Sequence, residues 1–482
     1  MFDPLLTWLY NPWVTWSFTA IYTLTVVIVL CVVLSENRNP VKSLAWVTVL
    51  LLMPIAGVII YMFFGRNIKN KRMISRRNRR RLKRAENVRP VDISRLPLSQ
   101  AAMQQAHLAK SLTGAGYYLG NDITVFTNGV SKFAALERDL SAAKRFINIQ
   151  YYIFEDDNIG RRVAAILKER ARAGVRVRVI YDHVGSIHTS NKFFKSMREA
   201  GVEVYPFFKV TFPFLGTRVN WRNHRKLCII DGEVGYIGGM NIADRYMDGG
   251  QKFDEWRDSH LRIVGPAVAA LQYSFAVDWN FMGKPLIEDV MPQPPREAPG
   301  NIGAQLMASG PTSQWSNVEF MFHKAIAGAR KRIWIQTPYF LPTEGLLKAL
   351  QTASLAHVDV RIMMPRRSDS LMLRYASASY IAECLRAGIK IYLFNPGMLH
   401  SKNIIVDDEM ASVGSTNFDF RSFEHNFEAN LFIYSKEFNA RMADIFLADQ
   451  RRSTRVLASN WAKRPWTNKI AESILRLLSP IL

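Results

Sequence analysis

Two uncharged, strongly apolar runs stand near the start of the chain, at residues 13–34 and 44–64. Each is long enough to cross a hydrocarbon core of about 30 Å as a helix, and only nine residues lie between them. A cleaved signal peptide fits poorly, because no basic stretch precedes the first run and a second run follows at once. The pattern therefore predicts a two-helix transmembrane hairpin over residues 1–65.

After the hairpin, short β-branched runs alternate with longer stretches of helical period. VRVRVI at 175–180 and IIVD at 404–407 are typical of strands, whereas residues 131–145 and 160–174 have the apolar spacing of helices. This alternation favours an α/β fold in which helices cover a sheet.

Three blocks of sequence return in the same order in the second half of the chain. The pairs are AAKRFINIQYY (142–152) with ARKRIWIQTPY (329–339), AGVRVRVIYD (173–182) with AHVDVRIMMP (356–365), and REAGVEVYPF (198–207) with LRAGIKIYLF (385–394). A repeat of this kind predicts one domain that has been duplicated.

The chain therefore divides into six predicted segments. They are a transmembrane hairpin (1–65), a basic juxtamembrane linker (66–115), a first domain (116–290), a proline-rich connection (291–301), a second domain (302–455) and a C-terminal amphipathic helix (456–482). In the last segment Ile470, Ile474 and Leu477 share one helical face, which leaves two alternatives: packing onto the soluble domain, or lying on a bilayer surface.

The distribution of charge indicates which molecules the protein binds. Sixty-three Lys and Arg against 40 Asp and Glu leave a net charge of +23, and eleven of the cations lie between Arg66 and Arg84 without one acid. Cations that follow an apolar run favour the cytoplasmic side and attract anionic head groups. We therefore predict a multi-pass protein of the membrane with its soluble domains in the cytoplasm. Anionic phospholipids and the bilayer are the expected partners, rather than nucleic acid.

Cysteine and histidine usage predicts neither a disulfide framework nor a metal centre. The three cysteines, Cys31, Cys228 and Cys384, have no paired spacing, and the nine histidines form no pair of metal-ligand type. No cofactor is expected.

The sequence HRKLCIID at 224–231 returns as HSKNIIVD at 400–407. Because a strand alternates its side chains, His224 and Lys226 share one face while Arg225 points away, and His400 and Lys402 share a face likewise. Asp231 and Asp407 complete the two motifs at the strand ends. Each aspartate lies an odd number of residues after its histidine, so it points to the other face of the strand. We therefore predict that it fixes a turn rather than contacts substrate.

Two imidazoles and two ammonium groups in one cleft would suit a phosphodiester. One histidine can attack phosphorus while the other protonates the leaving oxygen and then deprotonates an incoming alcohol. Fixed positive charge stabilises the phosphoryl oxygens. In both halves an asparagine follows the motif histidine by 17 positions, at Asn241 and Asn417, after small residues that let backbone approach an anion, and both are predicted phosphate ligands.

These residues resemble the phospholipase D superfamily, and more closely its bacterial cardiolipin synthases. The resemblance covers nearly the whole chain, including GSTNFDFRS at 414–422 and the terminal SPIL. It implies two duplicated α/β/α sandwich domains related by a pseudo-two-fold axis. It also implies a bacterial cytoplasmic membrane, and conversion of two phosphatidylglycerol molecules to cardiolipin and glycerol through a phosphohistidine.

The same resemblance implies roles for individual residues. His224 would be the nucleophile and His400 the acid and base, and a downstream carboxylate would orient each histidine. Glu428 fits the family pattern in the second half, whereas Asp258 in the first half lies six residues later and differs in type. Gly239 stands where the second half has Ser415, the remaining candidate phosphate contact.

Three alternatives remain open at the level of sequence. A phospholipase D hydrolase, or a transferase using another alcohol, would need the same residues, because acceptor choice depends on excluding water and positioning an alcohol. A nuclease of the superfamily could use the basic segment for a polynucleotide, and a lipid-binding scaffold would need no intact motifs. Nothing in the sequence predicts an oligomeric state.

Overall fold

The computed structural model describes residues 12–35, 40–61, 72–85, 87–209, 221–287 and 299–479. Its chain forms two compact units, one comprising residues 1–68 with 210–220, and the other residues 69–209 with 221–482. Most of the predicted proline-rich connection at 291–301, part of the basic segment and the last three residues lie outside the described residues.

The described part of the first unit is helical, in the segments α1 (Pro12–Ser35), α2 (Pro40–Leu52) and α3 (Pro54–Ile60). Within the described residues one stretch, Pro12–Cys31 of α1, is long and apolar enough to cross a membrane. The second apolar run is not the continuous helix that we expected. Met53 leaves the helical region at φ −133° and ψ 67°, because the following proline lacks an N–H and its ring crowds the preceding turn.

The second unit holds the remaining helices. They are α4 (Arg76–Ala85), α5 (Gln100–Thr113), α6 (Gly129–Ser141), α7 (Asn158–Arg172), α8 (Asn191–Glu199), α9 (Arg245–Asp248), α10 (Val268–Phe281), α11 (Asn317–Gly328), α12 (Glu344–Leu355), α13 (Leu371–Arg386), α14 (Phe420–Glu424), α15 (Lys436–Arg451), α16 (Ala458–Ala462) and α17 (Trp466–Leu477), with a 3₁₀ turn at Ile93–Arg95. Many of them begin at a serine, threonine or aspartate that accepts a hydrogen bond from the first turn, as Asp157 does from Gly160.

The second unit also contains the strands of the fold. In chain order they are β1 (Tyr118–Phe126), β2 (Phe146–Tyr151), β3 (Arg176–Asp182), β4 (Glu203–Phe207), β5 (Arg222–Asn223), β6 (Leu227–Ile230), β7 (Val234–Gly238), β8 (Trp256–Arg257), β9 (His260–Val264), β10 (Ile302–Ser309), β11 (Arg332–Gln336), β12 (Phe340–Leu341), β13 (Asp359–Pro365), β14 (Lys390–Phe394), β15 (Met398–Leu399), β16 (Asn403–Val406), β17 (Met410–Gly414), β18 (Phe418–Asp419), β19 (Asn426–Tyr434) and β20 (Ser453–Arg455).

Both repeats contribute to one mixed sheet of the described residues. Its order is β20-β14-β13-β11-β16-β17-β19-β10-β1-β9-β7-β6-β2-β3-β4, with β5 added beside β19. The seam between the halves is the antiparallel pair β1 and β10, where Tyr118 lies opposite Ala304. From that seam outward, equivalent strands of the two repeats follow in the same order on both sides. The predicted α/β fold and its duplication agree with this arrangement, although the two halves share a single sheet.

Residues 93–113, which we expected in a linker, pack into the core of the second repeat. Ala102, Ala106 and Ala109 of α5 are buried there, and the side-chain amide of Gln105 donates to the carbonyl of Met321 on α11 at 2.7 Å. The small alanine face explains the close approach of the two helices.

The C-terminal helix α17 packs against α13, where Arg476 pairs with Glu383. Leu475 also packs onto the core of the second repeat. The opposite face of α17 presents an exposed apolar stripe of Trp466, Ile470, Ile474 and Leu477. Of the two alternatives for this segment, packing onto the soluble domain is therefore what the structure shows, with the other apolar face left exposed.

Candidate active site

The two motif histidines line one cleft of about 430 Å³ within the second unit. His224 follows β5, a short strand that pairs with the start of β19 in the other repeat, and its backbone N–H donates to the carbonyl of Phe427 at 2.9 Å. His400 follows β15, which pairs with β8, and its N–H donates to Arg257 at 2.7 Å. Each histidine is thus positioned by backbone of the opposite repeat.

The carboxylates that contact the histidines also come from the opposite repeat. Nδ1 of His224 lies 2.9 Å from Oε1 of Glu428, and Nδ1 of His400 lies 2.6 Å from Oδ2 of Asp258. We had expected each carboxylate to serve the histidine of its own half, and that expectation is wrong. The cause is the crossed pairing of the strands, which carries each carboxylate across the pseudo-two-fold axis.

These contacts define which ring nitrogen can react. An ionised carboxylate only accepts hydrogen bonds, so we assign the ring hydrogen of His224 to Nδ1 and leave Nε2 for the substrate. Nδ1 of His400 contacts both Asp258, at 2.6 Å, and Nζ of Lys402, at 2.8 Å, and we give it the same assignment on the shorter contact. Aromatic rings fix both imidazoles further: the ring centroid of Tyr152 is 5.0 Å from that of His224, and Trp256 is 5.3 Å from His400.

The two carboxylates are held in different ways. The hydroxyl of Ser415 donates to Oε2 of Glu428, and the side-chain amide of Asn426 donates to Oε1 at 3.3 Å. Opposite Ser415 in the repeat, Gly239 leaves room for Asp258, since a Cβ there would lie 2.1 Å from Oδ1 of that residue. Ser415 therefore supports a carboxylate rather than facing the cleft as a phosphate contact.

Both motif lysines are buried beside their histidines. Nζ of Lys226 donates to the carbonyl of His224 at 2.6 Å, and Lys402 donates to the carbonyl of His400. Burial lowers the pKa of Lys226 to about 7 and that of Lys402 to about 8. A bound phosphate would oppose that effect, so the anion and the lysine charges favour each other.

The two histidines differ in their electrostatic surroundings. Burial lowers the pKa of His224 to about 4, although the Glu428 carboxylate opposes the shift. Burial and then the charge of Lys402 lower the pKa of His400, whereas Asp258 and the more distant Asp369 oppose this. His224 is therefore neutral at pH 7, which is the state in which an imidazole is nucleophilic.

The motif aspartates lie at strand ends and bind backbone. The carboxylate of Asp231 accepts from the amides of residues 144–146, and that of Asp407 accepts from residues 330–332. Both aspartates adopt a left-handed conformation, with φ 54° and 50°. Each ties its hairpin to the start of a neighbouring strand, which agrees with a turn-fixing role and gives them no contact with the cleft.

The two predicted asparagines line the cleft but differ in their bonding. Asn241 uses its amide within the protein, donating to the hydroxyl of Tyr246 at 2.5 Å and accepting from the amide of Ile153 at 3.1 Å. Asn417 interacts with Asp419, and its buried carbonyl oxygen has no hydrogen-bond partner among the described residues.

Sequence reasoning missed a second layer of buried ion pairs. Arg225, which we expected to point away from the site, pairs with Asp278 at 2.6 Å, and Arg257 pairs with Asp449 at 2.8 Å. Each arginine also donates to backbone beside a catalytic candidate, at Glu428 and Asp258 respectively. An unpaired buried charge is costly. The arginine within HRK was therefore a signal that a buried acidic partner exists, although it did not identify Asp278.

Further residues of the cleft wall were also missed. They are Tyr152, Arg222, Arg245, Tyr339, Asp369 and Arg421. Arg245 and Arg421 each follow a motif histidine by 21 positions, so the repeat itself carried a signal for them. Within the described residues, no group of three His, Cys, Asp or Glu side chains is placed to hold a metal ion.

The fold and the paired His-x-Lys cleft are those of a phospholipase D-like protein. A solved phosphatidylserine synthase from Haemophilus influenzae Rd KW20 has a similar fold, with a TM-score of 0.61 and 13% identity over 79% of this chain and 100% of that one. A family profile described as "Cardiolipin synthase, PLD-like domain" matches residues 136–279 and 322–450, and one described as "Phospholipase_D-nuclease N-terminal" matches residues 23–66.

Curated relatives make the assignment narrower. The cardiolipin synthase of Geobacillus kaustophilus is 39% identical over 96% of this chain and 94% of its own length. That of Halalkalibacterium halodurans is 37% identical over 98% and 95%, and that of Listeria monocytogenes serovar 1/2a is 38% identical over 93% and 95%. The chain belongs to the cardiolipin synthase family, as its motifs predicted.

Proposed function

We propose that this protein transfers a phosphatidyl group from one phosphatidylglycerol to another, giving cardiolipin and glycerol. The observation that carries the proposal is the crossed pair of contacts, His224 with Glu428 and His400 with Asp258. Both histidines line one cleft, and a buried lysine lies beside each of them. That arrangement leaves Nε2 of each imidazole free of the carboxylates and gives one phosphodiester a place to bind between the two histidines.

In the first step, neutral His224 attacks the phosphorus of the donor lipid through Nε2. The bond from phosphorus to the glycerol oxygen breaks, and His400, entering the step as an imidazolium protonated on both ring nitrogens, gives its Nε2 proton to that oxygen. Lys226 and Lys402, each buried beside its histidine, would stabilise the phosphoryl oxygens as charge shifts in the transition state. Asn417 of the cleft wall can donate to these oxygens through its side-chain N–H.

In the second step, a terminal hydroxyl of the acceptor phosphatidylglycerol gives its proton to His400. The new oxygen–phosphorus bond forms as the bond from phosphorus to His224 breaks, which restores both histidines. Glu428 stabilises the transient charge on the His224 ring, and Asp258 does the same for His400. The neutral state of His224 suits the attack, whereas His400 has to take up a proton on Nε2 before the first step.

The site would act at the bacterial cytoplasmic membrane. The apolar helix α1 and the cations from Arg66 to Arg84 support a membrane protein whose second unit lies on the cytoplasmic side, where anionic lipid is the substrate. A second membrane crossing by residues 44–64 belongs to this proposal. Its test is cysteine labelling from each side of sealed membranes, at single cysteines placed in residues 36–39 and 66–71 of a chain otherwise without cysteine.

Product analysis tests the reaction itself. Purified full-length protein is mixed with vesicles of labelled phosphatidylglycerol and a chelator, and the lipids are resolved by mass. We expect cardiolipin and equimolar glycerol, lost on His224→Ala and His400→Ala but kept on Asp408→Asn, a carboxylate remote from the cleft that pairs with Lys331. Phosphatidic acid as the main product would instead identify a hydrolase.

A further inference from the structure

One carboxylate on the cleft wall takes no part in either step of the proposed reaction. Two carboxylates line the described part of the cleft, Asp369 and Asp419. Asp419 is buried and caps α14 by accepting from the amide of Ser422 at 2.6 Å, whereas Asp369 is exposed. An exposed negative charge is an unfavourable neighbour for a phosphodiester, so its presence in this cleft calls for a substrate group that donates hydrogen bonds.

Asp369 is held in place by a second residue of the cleft wall. The hydroxyl of Tyr339 donates to both carboxylate oxygens, at 2.7 and 2.9 Å, and Ser368 donates to one of them at 3.3 Å. The loop that carries Asp369 runs from residue 366 to 370, between β13 and α13. The corresponding loop of the first repeat, residues 183–190, contains no acid. The carboxylate is therefore a feature of one side of the cleft only.

Asp369 lies on the side of the cleft that contains His400. Asp369 is among the charges that act on both His400 and Lys402, and it opposes the lowering of their pKa by burial. Since His400 is the proton donor to the leaving oxygen, the alcohol part of the donor lies on this side, and the incoming alcohol occupies the same place in the second step.

We propose that Asp369, braced by Tyr339, is the alcohol subsite, which accepts hydrogen bonds from the hydroxyls of a glycerol headgroup. The carboxylate first holds the leaving glycerol and then the acceptor headgroup, whose non-reacting hydroxyl binds Asp369 while its terminal hydroxyl faces His400. Charge-assisted hydrogen bonds of this kind are stronger than neutral ones. A site built for a hydroxyl discriminates against an acceptor that lacks it. This inference rests on the proposed transfer to an alcohol.

Competition between two small alcohols tests the subsite directly. Full-length protein with phosphatidylglycerol vesicles receives equal concentrations of 1,2-propanediol and 1-propanol, and the two phosphatidyl alcohols are measured by mass. We expect the wild type to favour the diol by about tenfold or more, and Asp369→Asn and Asp369→Ser to bring the ratio close to one. Tyr339→Phe, which keeps the carboxylate but removes its brace, should lower the ratio by a smaller factor. Asp408→Asn is the matched control and should leave it unchanged.

The outcomes separate this inference from the proposed function. A wild type that makes neither cardiolipin nor any phosphatidyl alcohol would overturn the proposed function. A wild type that transfers normally, with the same diol preference in both Asp369 variants, would overturn the alcohol subsite alone. A parallel reaction offers ethanolamine as the acceptor. If Asp369→Asn lost transfer to ethanolamine but kept transfer to the diol, the alcohol subsite would also be overturned, because the carboxylate would then serve an ammonium group.

Discussion

The two histidines of this site have equivalent positions in a repeat but unequal surroundings. His224 has a glutamate supported by Ser415, and burial brings its pKa to about 4. His400 has an aspartate packed over Gly239, and a further carboxylate of the cleft wall opposes the lowering of its pKa. Burial therefore favours the neutral imidazole on both sides, but carboxylates oppose the shift by different means at the two histidines.

The comparison teaches how a duplicated domain acquires a directional reaction. Because each carboxylate crosses to the opposite repeat, neither half can build a complete histidine site by itself. Small changes such as serine against glycine, or glutamate against aspartate, then alter one histidine without altering the other. Substitutions on the two sides should therefore affect different steps of the reaction.

Removing either histidine should lower cardiolipin synthesis by roughly four orders of magnitude or more. The two histidines act as a unit, so the loss of one costs about as much as the loss of both. The two variants should separate on a phosphatidyl donor with a nitrophenol leaving group, which departs without a proton. His400→Ala should still release nitrophenol in a single turnover, whereas His224→Ala should not. Stopped-flow absorbance measures the release, and release by His224→Ala alone would invert our assignment.

Removing the crossed carboxylates should lower synthesis by on the order of 10²- to 10⁴-fold. With the nitrophenol donor, Glu428→Gln should slow the release because it acts on His224, and Asp258→Asn should leave the release nearly intact. If Asp258→Asn slowed release instead, each carboxylate would serve its own half. Histidine resonances in NMR provide a second readout, since Glu428→Gln should lower the pKa of His224 further.

Changing the residue that packs against each carboxylate should have smaller effects, and each change should affect a different step of the reaction. Ser415→Ala removes one hydrogen bond to Glu428 and should slow nitrophenol release about tenfold. Gly239→Ala places a Cβ 2.1 Å from Asp258 Oδ1, so it should displace that carboxylate and slow cardiolipin synthesis while sparing nitrophenol release. Equal effects of both variants on release would contradict the separation of the two sides.

The pH dependence of the first step should be weakest. Nitrophenol release should change by less than about twofold between pH 7.5 and 5.5, and fall only as His224 is protonated near pH 4. A histidine with its ordinary pKa of about 6.5 would lose roughly tenfold over that interval. The unfolded chain binds more protons than the folded one between pH 4 and 6.5, so this group makes the protein less stable as the pH falls through that window.

Much of the site was predictable from the sequence because it lies within one repeat unit. The motif spacing placed His224 and Lys226 on one face, and the offset of 17 residues picked out both asparagines. The crossing of Glu428 and Asp258 was not predictable, because strand pairing between repeats leaves no mark on the spacing within either. Arg225 shows the same limit: its alternation was right, but the buried partner Asp278 lies 53 residues away.

For the fold as well, features within one repeat were predictable and contacts between the repeats were not. The alternation of strands and helices and the duplication were legible in the sequence, whereas their union in one sheet depends on the edge contact between β1 and β10. At the N-terminus, a count of apolar residues predicted a continuous second helix, but the proline at position 54 interrupts it after Leu52. The mean apolar content of a segment is not changed by one proline, although the missing N–H of that proline is enough to interrupt the helix.

The most direct test of the account is to find which histidine carries the phosphatidyl group. Full-length protein is mixed with labelled phosphatidylglycerol and quenched within one turnover, and the peptides are then mapped by mass spectrometry under conditions that preserve phosphohistidine. We predict the adduct on the peptide that contains His224, with accumulation when Asp258→Asn slows the second step. An adduct on His400, or transfer without any covalent adduct, would contradict the division of roles between the two halves.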